Sequence, residues 1–353
     1  MPKWNTAPKP PKLDPDATYW TQRQNDLMFS IEKSEREFMQ RLGREYAVEA
    51  QKLKKEIAGF YAQYGKDNVI EYRELLKAAD PATRDMIYKE WEAFAAAHPE
   101  YAHLTPVREK IYRLNRLEAE QESIRLQVTK MSAWDGEQIM QHYVDVTRMS
   151  LDHSYEVLGG AYDRTTHIAF VGTDRVKPEA LDYYLSQLKK GKDIMIPTSG
   201  PISLMEQRQK LADYMNTDLA RGIARGDSYQ RITKDLTERF NRVSQYDAYR
   251  IVYTEGTHIA AETAAFTLRP YFDWYEVVTA NDSRVCDDCM ELQENGPFRF
   301  DERAEGINFP PMHPFCRCRV EPYVDDWDAW IDNYDKRKTA EMMGVKEIEG
   351  IFT

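Results

Sequence analysis

The chain has 353 residues, 30% of them charged, and a formal net charge of −11; its mean hydropathy is −0.70. This acidic balance excludes a whole-surface nucleic-acid binder and leaves only a local basic patch for any contact with DNA. No run approaches the ~18 apolar residues of a spanning helix, so no membrane partner is expected; the length suits two domains, or one domain with a long helical extension.

Residues 1–18 hold Pro2, Pro8, Pro10, Pro11 and Pro15 and no hydrophobic period. They read as a flexible Pro-rich arm without a secretory apolar core, which points to a cytoplasmic product. From Tyr19 the pattern changes. Ile31, Phe38, Leu42, Tyr46, Leu53, Ile57, Phe60 and Tyr64 recur at intervals of three, four or seven, the stripe of one long amphipathic helix over about 27–64. Gly65-Lys66-Asp67-Asn68 ends it. Shorter helices follow over about 71–79, 82–97, 107–132 and 137–158, the second opened by Asp80-Pro81 and closed by His98-Pro99. Gly159-Gly160 closes the last. His167–Val171 reads as a short strand and 178–190 as a helix. Residues 19–195 thus form a helical N-terminal region.

Ile196-Pro197-Thr198-Ser199-Gly200-Pro201 is a strong breaker. Beyond it, helical patterns cover 204–223, 229–240 and about 245–268, with Gly226-Asp227-Ser228 between the first two. Arg221, Arg225, Arg231, Arg239 and Arg242 on these helices are candidates for DNA contact, although Asp227, Asp235, Glu238 and Asp247 interleave with them and favour a solvated face. After Pro270 the period shortens, and Phe272 to Thr279 has β character. The last segment, 325–353, is an acidic C-terminal tail.

All four cysteines fall in one short segment, Cys286, Cys289, Cys316 and Cys318, with His313 just ahead of the second pair. C-x2-C lets two thiolates turn onto one tetrahedral ion, and a small loop-rich segment lacks the apolar surface to hold itself together unaided. A structural Zn²⁺ bound by four of these five residues is the metal reading. Reduced packing thiols and disulfides remain as alternatives. A redox pair fits less well, because Asp287 and Asp288 raise the thiol pKa. Catalytic signatures are missing. The H-x-E of a deaminase occurs only at His98-Pro99-Glu100, in a breaker, and there is no H-E-x-x-H, G-x-S-x-G or Gly-rich phosphate loop. His258, following Glu255 on the last helix, reads as a helix-surface pair. The fold class expected is therefore mainly α, long amphipathic N-terminal helices followed by an α+β C-terminal module with a Cys/His knuckle.

The flanks of the cysteines carry a resemblance. Arg250-Ile-Val-Tyr-Thr254-Glu255, Trp274-x4-Thr279, Asn281-Asp282-Ser283-Arg284-Val285-Cys286-Asp-Asp-Cys289 and Phe309-Pro310-Pro311-Met312-His313-Pro314-Phe315-Cys316-Arg317-Cys318 resemble the phage Mu F-like domain of tailed-phage head-morphogenesis, or minor capsid, proteins. The family pattern is an arginine followed by T-E, then D-x-R-x-C-x-x-C and P-P-x-H-P-x-C-R-C. It maps here onto Arg250, Thr254, Glu255, Asp282, Arg284, Pro311, Pro314 and Arg317, with tyrosine before Thr254 where the family often has arginine. The likeness covers about 200–322, so the Mu F-like domain is placed at 200–324.

The resemblance implies a minor capsid protein of a tailed phage or prophage. It would associate with the portal protein and other capsid proteins inside the procapsid, and aid head assembly, DNA packaging or ejection. Its place would be the virion head, assembled in the host bacterial cytoplasm, with packaged DNA a further partner. No enzymatic activity and no small-molecule substrate are implied. Two rival readings stay open: a metal-dependent or ADP-ribosyltransferase-type enzyme, toxin-like, and a DNA-binding zinc protein.

Overall fold

In the computed structural model, residues 19–166, 199–269, 272–280 and 282–325 are described. The arm, the segment containing 167–198 and the tail beyond Asp325 lie outside these residues, and with them the expected strand at 167–171 and helix at 178–190. Helix α1 is Tyr19–Tyr64, α2 Tyr72–Leu75, α3 Pro81–Ala97, α4 Arg108–Ile111 and α5 Arg116–Thr166. They are followed by α6 Ser199–Arg225, α7 Tyr229–Leu268, β1 Trp274–Val278, α8 Asp287–Glu294, β2 Phe298–Arg299 and β3 Arg319–Tyr323. The mainly helical chain with a small C-terminal α+β module is as the sequence implies.

Several boundaries differ from expectation: α1 starts at Tyr19, the helix at 71–79 shrinks to Tyr72–Leu75, and the separate helices expected at 107–132 and 137–158 are joined in α5. The helix expected over 107–132 is divided, because Asn115 and Glu118 form a reciprocal capping box that starts α5 afresh. The Glu118 amide donates to Asn115 Oδ1 at 2.9 Å, and the Asn115 amide donates to Glu118 Oε2 at 2.8 Å. Helix α5 then runs on through Gly159-Gly160 to Thr166; glycine costs a helix only about 1 kcal/mol per residue, so a pair without proline does not have to stop it. The patterns at 229–240 and 245–268 are one helix, since Phe240, Ser244, Ala248 and Val252 keep the same buried face through the polar stretch between them. At α3 the expected start holds: Asp80 caps the Thr83 amide at 2.9 Å, with Pro81 in the first turn.

By packing, the chain falls into two units, one of residues 1–38, 141–198 and 250–353, the other of 39–140 and 199–249. In the second unit, Ile87, Trp91, Phe94, Tyr101, Ile111 and Leu126 belong to an apolar core. Four of its helical segments also meet at a buried ionic centre. The Arg208 guanidinium on α6 donates to Asp135 Oδ2 of α5, the Tyr46 hydroxyl of α1 and the Ser244 carbonyl of α7, each at 3.1 Å. Arg208 and Asp135 are both fully buried.

The first unit contains the sheet, ordered β2-β1-β3 and antiparallel throughout, with Trp274 opposite both Arg299 and Tyr323 and Val278 opposite Arg319. Tyr275 and Val277 face a core with Phe300, Phe309, Val320 and the C-terminal half of α7. That stretch of α7 presents Ala261, Ala264 and Ala265, whose small side chains admit the sheet closely. The Tyr275 ring lies 4.9 Å from Phe300 and 5.7 Å from Phe309, and its hydroxyl donates to the Asn308 carbonyl at 2.9 Å.

Candidate metal centre

Cys286 caps α8, and Cys289, one turn in, is buried among the apolar residues of this core. The second half of the site is a bent loop ahead of β3. It carries a cis Pro310–Pro311 peptide and a left-handed Phe315 (φ 64°). His313 Nδ1 donates to the Pro314 carbonyl at 2.8 Å, which leaves Nε2 as the ring's lone-pair nitrogen. That nitrogen lies 3.1 Å from Cys286 Sγ and 3.3 Å from Cys289 Sγ. Cys289 Sγ is 3.9 Å from Cys316 Sγ.

Two donor triads result, Cys286–Cys289–His313 and Cys289–Cys316–Cys318, each with its donor atoms within 4.8 Å of one another. Cys289 belongs to both. Ligands of one tetrahedral ion with bonds of ~2.0–2.3 Å stand roughly 3.5–3.8 Å apart, so either triad is within reach of a thiophilic cation, with Cys289 common to the two. The electrostatics agree. Contacts with Cys289 and Cys318 hold the Cys316 thiol below its ordinary range, while the contacts of Cys289 with Cys316 and Cys318 push its own thiol up. A thiolate shared by three buried sulfurs is poised for a metal ion.

The loop is fastened to α7 by two threonines. Thr257 Oγ1 donates to the Cys316 carbonyl at 2.6 Å, and the Phe315 amide donates to Thr254 Oγ1 at 3.2 Å. Arg317, between two of the cysteines, forks onto Asp282 at 2.9 and 2.6 Å and lies 3.4 Å from Glu32 of α1. Asp282 also accepts the Arg284 amide at 2.9 Å. The structure thus gathers Thr254, Asp282, Arg284, Pro311, Pro314 and Arg317 around the five donors.

Glu255 sits among Glu305, Arg250 and His258. Burial, and secondarily the negative charge of Glu305, push the Glu255 carboxyl up to about 7, with Arg250 opposing. His258 Nδ1 is 4.0 Å from Glu255 and 3.6 Å from Glu305. Because the folded chain holds the Glu255 proton more tightly than the unfolded one, its contribution is greatest below the ordinary carboxylate pKa and is lost as pH rises to about 7. Glu255→Gln is accordingly expected to gain stability relative to the parent as pH is raised from 5 to 8 under saturating metal. A constant difference in urea midpoint across that range would refute this.

Three contributors were not legible as site residues. Thr257 is one turn beyond Thr254 on the same face. Glu32 accepts from the Tyr253 hydroxyl at 3.1 Å. Glu35 is buried and packs on Gly256, where a Cβ would collide with its Oε1. Its available signal was a carboxylate inside the apolar stripe, four residues after Ile31 and three before Phe38.

The five candidate DNA-contacting arginines lie on α6 and α7 in the other unit. Arg221, Arg225, Arg239 and Arg242 line a groove of about 430 Å³ together with Asp218, Asp227, Asp235 and Glu238. Arg225 and Arg231 pair with Asp227 at 2.6 and 3.4 Å, and Arg239 with Asp218 at 2.8 Å. Balanced charge of this kind gives the groove no net positive field to draw phosphate.

Fold and site together define a helical protein whose C-terminal α+β module is cornered by a Cys/His cluster able to hold a metal ion. The family model described as phage Mu protein F like protein matches residues 213–321, so this part of the chain is a phage Mu F-like domain. No curated protein and no solved structure matches the chain. Among the described residues, no helix is long and apolar enough to cross a membrane.

Proposed function

We propose that the chain is a minor capsid protein of a tailed phage or prophage that associates with the portal inside the procapsid and aids head assembly, DNA packaging or ejection. The observation that carries this reading is the Mu F-like match over 213–321, which spans both halves of the cysteine cluster. Long charged helices such as α1 and α5 suit docking onto other head proteins, and the role is structural rather than enzymatic. The ion is zinc, structural and held by four of the five donors; a donor set of thiolates and one imidazole favours it over harder cations. Portal association is tested by co-expressing the chain with the portal protein of the same phage. Stable co-purification is expected, and loss of the complex at physiological salt, with both proteins folded, would remove the portal from the proposal.

A further inference from the structure

We infer that the metal knuckle is a latch for the N-terminal helix, with Arg317 as the positioning residue that couples the two. This rests on the metal reading above. Arg317 stands between Cys316 and Cys318, so its backbone is fixed wherever those sulfurs are fixed. Its guanidinium, 10% exposed, then bridges Asp282, four residues before Cys286, to Glu32 on α1, itself 16% exposed. One turn further along α1, Glu35 lies against the bare backbone of Gly256 and within the field of Arg319, the residue after Cys318.

Neither carboxyl oxygen of Glu35 has a hydrogen-bond partner among the described residues. Arg319 spends its Nη1 on Thr257 and the Cys318 carbonyl. The contact of α1 with this side of the module therefore combines a buried apolar stripe, Leu27, Met28, Ile31 and Phe38, with a half-satisfied polar edge at Glu32 and Glu35 that depends on where the knuckle places two arginines. A buried polar interface with unmet partners is held by its frame rather than by its own affinity. Here the frame is the metal-bound loop. When the sulfurs are released, Arg317 loses its fixed position, Glu32 keeps only the Tyr253 hydroxyl, and residues 27–38 of α1 are held more loosely, by their apolar burial alone.

Hydrogen exchange on the full-length chain, zinc-loaded and after chelation, tests this. Amides of residues 27–38 are expected to exchange roughly tenfold faster or more without metal, while α3 in the other unit is unchanged. Glu32→Gln, which touches no sulfur, is expected to keep its zinc and still speed exchange at 27–38. Equal exchange of 27–38 in the loaded and chelated protein, with zinc uptake demonstrated, would overturn the latch and leave the metal reading intact. A parent protein that takes up no zinc would overturn both.

Discussion

Cys289→Ser is expected to abolish zinc binding and unfold the Mu F-like module locally, whereas Cys286→Ser or Cys318→Ser each retain a bound ion. The asymmetry follows from the geometry. Cys289 is the one donor common to both triads, 3.3 Å from His313 and 3.9 Å from Cys316. Removing Cys286 or Cys318 leaves four donors for four positions; removing Cys289 leaves four that no longer converge. Structural zinc is worth on the order of 10 kcal/mol in apparent folding free energy. The loop between α8 and β3, rich in proline, would keep only its threonine and Arg317 contacts and its few core side chains to replace it. Metal content of protein purified under reducing conditions should fall from about one ion per chain to none for Cys289→Ser, with new protease cleavage between residues 286 and 318. Equal metal content in all three variants would defeat the argument.

In the other unit, Asp135→Ala is expected to destabilise the helical core by about 3–5 kcal/mol, because it leaves the fully buried Arg208 guanidinium with only the Asp247 carboxylate, 3.9 Å away, as counter-charge. Burial, opposed by Arg208, pushes the Asp135 carboxyl up to about 6, so the pair is retained at a desolvation cost. As for any acid with a raised folded pKa, its contribution falls as pH rises through that value. The companion Asp135→Ala/Arg208→Met variant should recover much of the loss, since it removes both charges. Urea unfolding followed by helical circular dichroism reads the effect. A single variant within about 1 kcal/mol of the parent would show that Arg208 finds water or another carboxylate.

These two centres were unequally visible in the sequence. The metal donors declare themselves by residue type and spacing, and so do their immediate flanks. The Arg208 centre does not, because a lone arginine, aspartate and tyrosine 162 positions apart at the extremes have no local signature. The same distinction runs through the secondary structure. Strong caps and breakers such as Asp80-Pro81 and Gly226 mark their boundaries. Asn115, which opens a capping box, is missed when apolar period alone is read. The polar stretch at 241–244 looks like a gap until Ser244 is seen to be buried.

The sequence by itself determined the class of the chain. Apolar recurrence at three and four residues dictates long helices, the shortened period after Pro270 dictates β structure, and the clustered thiols dictate a convergent site, because each of these is a local or near-local constraint. Only the tertiary structure decided that Cys289 is the donor common to both triads, that Arg317 reaches Glu32, and that Glu35 lies on Gly256. The last two relations join residues more than two hundred positions apart, and no periodicity records which buried charge will face which.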